Sequence, residues 1–156
     1  GTSTGGTLSN SANIDFTNMP AVTVVAWSVW SLVTAGDCYQ TGWLSTVSGL
    51  AVVRSADLAG NDIQTNAHGL TTDDRVVFET IEGLTAPTGI TLGTLYFVLS
   101  GGLTTDAFNI STTSGGGEVD ITAVGSAIWR KVTPKVVNSG DTFRIAAGDL
   151  DIFATE

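Results

Sequence analysis

The sequence has very little of the chemistry that catalytic and metal centres use. Its 156 residues include one cysteine, Cys38, and one histidine, His68. A single cysteine can form neither an internal disulfide nor a cysteine-based zinc site, and a single histidine excludes a two-histidine metal site and leaves no spare member for a triad. We therefore predict no metal or cofactor site, and we expect His68 to cap or pack against the turn before Gly69.

Basic residues and long hydrophobic runs are also scarce. Six Lys and Arg against fifteen Asp and Glu give a net charge of −9 at pH 7, whereas binding a nucleic-acid backbone requires clustered basic side chains. The longest apolar run, residues 21–30, is interrupted by Thr23 and Ser28 and is shorter than the roughly 20 residues of a membrane helix. Neither a nucleic-acid partner nor a membrane partner is predicted.

The residues that are abundant favour β-strands and turns. Glycine contributes 19 residues, hydrophobic residues 42% and charged residues only 13% of the chain. Thr and Ser occur throughout, and no stretch has the apolar spacing of a helix. Alternation and turn residues predict strands over 14–16, 22–33, 38–46, 62–65, 75–78, 94–99, 107–111, 119–122, 136–137, 142–145 and 150–153. The predicted fold class is all-β.

The acidic residues divide the chain into a middle segment and two flanks. Residues 54–131 contain nine of the fifteen acids and have their own succession of strands and turns. This pattern predicts a discontinuous β-sandwich or jelly-roll-like domain formed by residues 1–50 and 133–156. Residues 51–132 are predicted to form a small β-barrel-like domain that is inserted at a hairpin.

Three pairs of carboxylates have the composition of a glycoside hydrolase or calcium site. They are Asp73 with Asp74, Glu79 with Glu82, and Asp149 with Asp151. None has the spacing of a calcium loop, and each also fits a turn, a loop border or the outer face of a strand. Residues 114–117 are glycine-rich but lack the ending of a phosphate-binding loop. We predict that the protein is not an enzyme; a β-sandwich glycoside hydrolase is the third-ranked alternative.

Four tryptophans offer another kind of site, because aromatic faces stack on sugar rings. They are Trp27, Trp30, Trp43 and Trp129. Alternation along one predicted strand places Trp27 and Trp30 on opposite faces, so these two cannot form one platform. Core or interface packing is predicted for the tryptophans, with carbohydrate binding as the alternative.

Five short blocks follow one another in the middle of the chain: AHGL at 67–70, DRVVF at 74–78, GTLYFV at 93–98, FNISTTSGG at 108–116 and VDIT at 119–122. In this order they resemble a small β module that recurs in tailed-phage virion proteins. The pattern of that module is AHGL, DRVVF, GTxYxV, FxxSxTxGG and VDIT. The resemblance implies that the middle segment is a virion β module.

The flanks contain SNSANIDFTNMPA at 9–21, VVAWSVW at 24–30, TAGD at 34–37 and VNSGDTFRIAAGDLDI at 137–152. These blocks resemble the C-terminal half of a family of actinophage-type minor virion proteins, known as tail fibre or capsid decoration proteins. The family's N-terminal helix and first strands have no counterpart before Gly1, and the middle segment interrupts the final hairpin. A sandwich without those strands has an unpaired edge, which we expect a neighbouring subunit or the capsid lattice to cover.

The resemblance implies a capsid decoration (cement) protein on the exterior of a tailed-phage virion. The alternative is a tail fibre or tail-tip adhesin that recognises a host surface glycan. The expected partners are the major capsid protein and copies of the chain itself, as a trimer or dimer, with the acidic middle domain projecting as a knob. The predicted interface residues are Val22, Val24, Trp27, Trp30, Phe143, Ile145 and Ile152.

Overall fold

A computed structural model describes residues 7–9, 11–30, 36–147 and 151–153. Its strands are β1 (Thr7–Ser9), β2 (Ile14–Phe16), β3 (Val22–Val24), β4 (Ala26–Trp30), β5 (Cys38–Trp43), β6 (Ser45–Val53), β7 (Ile63–Gln64), β8 (Arg75–Glu79), β9 (Leu95–Val98), β10 (Ala107–Phe108), β11 (Ile110–Ser111), β12 (Gly125–Val132), β13 (Lys135–Val137), β14 (Phe143–Ile145) and β15 (Asp151–Phe153). One 3-10 turn, Leu58–Gly60, interrupts them. The prediction of an all-β fold is confirmed.

The chain forms two compact units. Residues 1–24 and 134–156 belong to one, here called the terminal unit, and residues 25–133 form the other, the central unit. The predicted domain boundary at residues 50 and 51 falls instead inside β6, which pairs with β12 from Ser45 to Val53. Residues 25–50 therefore group with the middle segment, because a boundary at residue 50 would cut through a continuous strand.

The central unit is built on a seven-stranded antiparallel sheet with the strand order β10-β7-β6-β12-β8-β9-β11. The two outermost strands, β10 and β11, are separated in sequence by Asn109 alone. One short stretch of chain therefore pairs with both edges of the sheet and closes it on itself like a barrel. The Leu99 N–H donates to the Asn109 carbonyl at 2.9 Å and holds the crossing in place.

Aromatic side chains fill the interior of this sheet. The rings of Phe78 and Phe108 stack with their centroids 6.5 Å apart, and Trp129 meets Phe108 edge-on at 6.1 Å. Tyr96 meets Phe78 edge-on at 5.9 Å. Trp129 is only 1% exposed, and its indole N–H donates to the Thr65 hydroxyl at 3.0 Å. Strand alternation delivers these rings to one side of the sheet, and the closure encloses them.

Two tryptophans lie flat over glycines on the neighbouring strand. Trp129 of β12 is directly opposite Gly49 of β6, and Trp27 of β4 is directly opposite Gly42 of β5. A Cβ added at Gly49 would lie 2.8 Å from the Trp129 indole nitrogen, and one at Gly42 would lie 2.6 Å from the Trp27 ring. The indole covers backbone that a glycine leaves bare, a pairing that stabilises glycine in a strand.

The structure corrects four of the predicted strands. The strand predicted over 38–46 is divided at Leu44, and the strand predicted over 107–111 is divided at Asn109. The strand predicted over 22–33 is divided at Val25, whose carbonyl accepts a hydrogen bond from the Leu44 N–H at 2.8 Å; residues 31–33 lie outside the described part. Residues 119–122 form no strand, because their backbone hydrogen bonds go to different segments of the chain. The Val119 N–H donates to the Ile110 carbonyl, and the Thr122 N–H donates to the Thr88 carbonyl.

The sequence prediction missed β12, which lies between β6 and β8 near the middle of the sheet. This strand ends in Arg130-Lys131-Val132, and two adjacent basic residues are more typical of a loop. Each basic side chain has an acidic partner on β8 or just before it: Arg130 reaches Glu79 at 2.6 Å and Lys131 reaches Asp74 at 2.7 Å. These ion pairs make the charges compatible with an inner strand.

The terminal unit pairs the two ends of the chain. β2 runs antiparallel to β14, β3 to β13 and β1 to β15, each as a two-stranded sheet. Going inward from the chain ends, the first N-terminal strand pairs with the last C-terminal strand, the second with the second-last and the third with the third-last. We call these paired strands of residues 7–24 and 135–153 the ribbon. A two-stranded sheet has no second layer of its own that could cover its apolar side chains. An isolated pair of strands is therefore only marginally stable in water.

We expect Gly49→Ala to destabilise the central unit by about 1–3 kcal/mol, because the added methyl group collides with the buried Trp129 indole. The matched control is Gly101→Ala, where an added Cβ meets no atom within 4 Å; its effect should stay within about 0.5 kcal/mol. Urea denaturation followed by tryptophan fluorescence measures both. Equal stability of the two variants would contradict the packing of Trp129 on Gly49.

Candidate functional site

His68, the single histidine, lies in the wall of the central unit. Its side chain is 6% exposed. Nδ1 accepts a hydrogen bond from the Leu70 N–H at 2.9 Å, and Nε2 is 3.3 Å from the Ala107 carbonyl. Since Nδ1 is an acceptor, Nε2 carries the proton and donates it to that carbonyl. The expected turn role of His68 is confirmed, and each ring nitrogen has a hydrogen-bond partner within the fold.

The Asp74 carboxylate holds a turn and one strand together. It accepts hydrogen bonds from the Thr71 N–H at 2.7 Å, the Thr71 hydroxyl at 3.1 Å and the Lys131 ammonium at 2.7 Å. Partial burial acts to raise the pKa of Asp74, but the bonds from Lys131 and Thr71 outweigh it and hold the pKa below its usual 3.8. Asp74 is thus kept ionised as a structural group.

The other carboxylate pairs are not arranged as catalytic pairs. Glu79 binds Arg130 across the strands, while Glu82 is exposed in the following turn. Asp73 accepts a hydrogen bond from the Ser114 hydroxyl at 2.7 Å. Asp149 and the side chain of Asp151 lie outside the described part. Where the structure describes them, the acidic residues considered for catalysis therefore bind neighbouring protein groups or face solvent singly.

The glycine-rich loop 114–117 is a turn. Gly115 has a φ of 63°, and the Gly116 N–H donates to the Thr113 carbonyl at 3.0 Å. Across the described ranges, no group of three or more His, Cys, Asp or Glu side chains is placed to hold a metal ion. Within the same ranges, no helix is long and apolar enough to cross a membrane.

The tryptophans have separate environments. Trp129 is sealed in the core, as described above. Along β4 the side chains alternate, so that Trp27 is half-buried over Gly42 while Trp30 is 54% exposed on the other face. The Trp30 indole N–H donates to the Ser28 hydroxyl at 2.8 Å. The predicted opposition of Trp27 and Trp30 is confirmed, and Trp30 is the one of these three indoles that remains accessible.

An apolar surface is formed where β2 pairs with β14. Phe16 lies opposite Phe143, and Ile14 lies opposite Ile145, so all four side chains share one face of the ribbon. The two phenyl rings are in contact, with centroids 6.0 Å apart and planes tilted by 44°. Phe16 is 47% exposed and the other three are half-buried. We call these four residues the ribbon face.

The opposite side of the same strands is charged and internally neutralised. The Arg144 guanidinium donates two hydrogen bonds to the Asp15 carboxylate, at 2.6 and 3.0 Å. The hydrogen bond from Arg144 is the main cause that lowers the pKa of Asp15 below its usual value of 3.8. β2 and β14 are therefore amphipathic: an ion pair marks the solvent side, and the apolar side remains partly uncovered.

The predicted interface residues are divided between the two units. Phe143 and Ile145 lie in the ribbon face. Val22 and Val24 lie on β3, where Val22 is 37% exposed, and Val136 on the paired strand β13 is 66% exposed. Trp27 and Trp30 belong to the central unit, and the side chain of Ile152 lies outside the described part.

The sequence prediction of the interface omitted Ile14 and Phe16, although it included their partners. The signal was present: Ile-Asp-Phe at 14–16 and Phe-Arg-Ile at 143–145 have the same alternation in opposite order. Only the register shows that these two short patterns form one surface.

Comparison with protein-family models, curated proteins and solved structures finds no match to this chain.

We expect His68→Ala to lower the free energy of unfolding by about 1–3 kcal/mol, because it removes the acceptor for a buried backbone N–H and the edge contact with Phe108. Asn66→Ala, in the exposed part of the same turn, should change it by no more than about 0.5 kcal/mol. Urea denaturation compares the two. An unaffected His68→Ala protein would show that the ring does not support this turn.

The lowered pKa of Asp74 predicts that the folded protein loses stability in acid. Because its pKa in the folded state lies below that of the unfolded chain, the ionised carboxylate stabilises the fold above pH about 4, and this stabilisation is lost as the pH falls through the folded-state value. Asp74→Asn should therefore be less stable at neutral pH and show a flatter pH dependence between about pH 5 and pH 2. Lys131→Gln should act in the same direction. Urea denaturation across this pH range is the measurement, and identical slopes for wild type and Asp74→Asn would contradict it.

Proposed function

We propose that the chain is a virion structural protein that acts by binding, as a decoration (cement) protein on the exterior of a tailed-phage capsid. One observation carries the proposal: the two ends of the chain pair into a ribbon with exposed apolar side chains, while the central unit encloses its own core. A ribbon of this kind is suited to attachment, because contact with a partner buries the apolar surface that the ribbon leaves in water.

In this proposal the central unit is the outward-facing part. Residues 25–133 contain ten acids and four bases, a net charge of −6. An acidic exterior keeps particles from associating with one another. The order of the motif blocks in the sequence supports the same role, since they resemble those of tailed-phage virion proteins.

The residues first considered for catalysis support binding over reaction. His68, Asp74 and Glu79 each have hydrogen-bond partners within the fold. A nucleophile or general base needs an accessible position near its substrate. The proposal therefore assigns these three residues to stability.

In this proposal the β3–β13 segment contacts the capsid. Val136 is 66% exposed, although it is a β-branched apolar residue in a strand, and it shares its face with Thr23, whereas Val22 lies on the other face beside the buried Val137. Burial of Val136 against the shell would contribute roughly 25 cal/mol for each Å² of apolar area removed from water. This gain, repeated over many copies, reinforces the shell.

The alternative function is a tail fibre or tail-tip adhesin that recognises a host glycan. The observation that favours it is Trp30, whose indole is 54% exposed and is oriented by its hydrogen bond to Ser28. An exposed indole suits stacking on a sugar ring. Glycan-array binding that Trp30→Ala abolishes would favour this alternative.

The capsid proposal predicts hundreds of copies of the chain in each purified virion, counted by quantitative mass spectrometry. A few copies, or a few dozen, would place the protein on the tail instead.

It also predicts that the purified chain binds capsids that lack it, and that Val136→Asp weakens this binding at least about tenfold, because a charge would be buried without a partner. Ile81→Asp is the matched control, since Ile81 is 61% exposed but lies in the central unit. Cosedimentation with capsids measures both variants. Equal binding by wild type and Val136→Asp would remove the β3–β13 segment from the contact.

A further inference from the structure

We propose that one face of the paired strands β4 and β5 binds a neutral, extended oligosaccharide whose sugars are β-linked, with an indole at each end of the site. This ligand-binding role adds to the structural role proposed above and does not depend on it. The two strands belong to the central unit, whereas the proposed capsid contact lies on β3 and β13.

The site is formed by residues that the strand register places on one side of the pair. They are Ala26, Ser28 and Trp30 of β4 with Cys38, Thr41 and Trp43 of β5. Directly opposite residues of antiparallel strands share a face, and alternation keeps every second residue on it. The Trp30 indole N–H reaches the Ser28 hydroxyl at 2.8 Å, which confirms that these two side chains lie on the same side. We call this surface the indole face.

The two tryptophans of the indole face are widely separated. Trp43 lies opposite Ala26, four positions before Trp30 on β4. At roughly 3.3 Å per residue, this places the two residues about 13 Å apart along the strands. Ser28 and Thr41 are paired midway between them. The site is therefore long and narrow, too long for a single sugar ring but suited to several rings in a row.

The exposed side chains match the two surfaces of a sugar chain. Trp30 is 54% exposed, Ser28 and Thr41 are exposed, and Trp43 is half-buried. A pyranose ring has an apolar C–H face that stacks on an indole and hydroxyl groups that hydrogen-bond at its edge. A Ser or Thr hydroxyl can both donate and accept. An apolar protein partner would instead bury Ser28 and Thr41 without hydrogen-bond partners, which is unfavourable.

The charge of the surroundings favours a neutral ligand. The six residues of the indole face include no Asp, Glu, Lys or Arg. The central unit that carries them has a net charge of −6 over residues 25–133. This charge repels nucleic acids and anionic glycans, whereas a neutral glycan is not affected by it.

The opposite side of the strands holds the indole face in shape. Trp27 lies there over Gly42, where an added Cβ would be 2.6 Å from the Trp27 ring. Such close packing fixes the spacing of β4 and β5 before a ligand arrives, and a preformed site loses less entropy on binding. Because the two strands run straight through the site, an extended β-linked chain follows them, whereas an α-linked chain coils away.

Isothermal titration calorimetry of the full-length chain with cellohexaose, a β-linked glucose hexamer, tests the site. We expect a dissociation constant of about 1 mM or tighter. Cellobiose, which reaches only one indole, should bind at least about tenfold more weakly. Maltohexaose, the α-linked hexamer of the same sugar, should bind at least about tenfold more weakly too. Weaker cellohexaose binding than about 1 mM, or equal binding of any two of these ligands, would overturn the proposal.

Substitutions locate the binding on the indole face. Trp30→Ala and Trp43→Ala should each raise the dissociation constant for cellohexaose at least about tenfold, because each removes one stacking ring. Leu50→Ala is the matched control, since Leu50 is 50% exposed on β6 of the same unit, and it should leave the constant unchanged. Wild-type affinity in Trp30→Ala would overturn the site. The comparison of ligands on the wild type stands even where Trp43→Ala does not fold.

Salt tests whether the ligand contact is uncharged. The dissociation constant for cellohexaose should stay within about twofold between about 0.05 M and about 0.5 M NaCl, because screening acts only on charges. A larger change would show that charged groups form the contact and would contradict the indole face as the site.

Capsid cosedimentation separates this inference from the decoration role. Trp30→Ala should bind capsids like the wild type, and Val136→Asp should bind cellohexaose like the wild type. A chain that binds capsids but no hexamer contradicts the glycan site alone. A chain that binds cellohexaose through Trp30 but no capsid contradicts the decoration role alone.

Discussion

The central unit depends on one crossing of the chain from one edge of its sheet to the other. Residues 107–108 pair with β7, residues 110–111 pair with β9, and Asn109 lies between them. The Asn109 amide donates to the Gly60 carbonyl at 2.8 Å and to the Glu118 carboxylate, so the crossing also anchors two loops. Because this crossing closes the sheet, Phe108 can meet Phe78 and Trp129 in one enclosed core.

Across its described residues, the terminal unit has no closed sheet of this kind. Its strands pair only two by two, and burial is correspondingly incomplete at Phe16, Val22 and Val136. One unit thus encloses its own core, whereas the other leaves apolar side chains exposed. This contrast is the physical basis for the proposal that the protein acts by attachment.

Histidine and carboxylate side chains of the kind that act in catalytic sites stabilise strands and turns in this fold. His68 bridges a turn and the crossing strand, and Asp74 and Glu79 hold the basic end of β12 against β8. Cross-strand ion pairs of this kind contribute modestly when exposed, but here they allow a charged segment to occupy an inner strand. Their removal would act first on the sheet.

Composition and alternation alone determined the all-β class, the opposite orientation of Trp27 and Trp30, and the turn at His68, because these depend on local periodicity and local backbone geometry. The inner strand β12 could not be recognised, since Arg130 and Lys131 are acceptable there only once Glu79 and Asp74 lie beside them. The ribbon face likewise depended on register, which brings together residues as far apart as Asp15 and Arg144, separated by 129 positions. Tertiary structure decided these features because pairing between distant strands sets which charges are neutralised and which apolar side chains share a face.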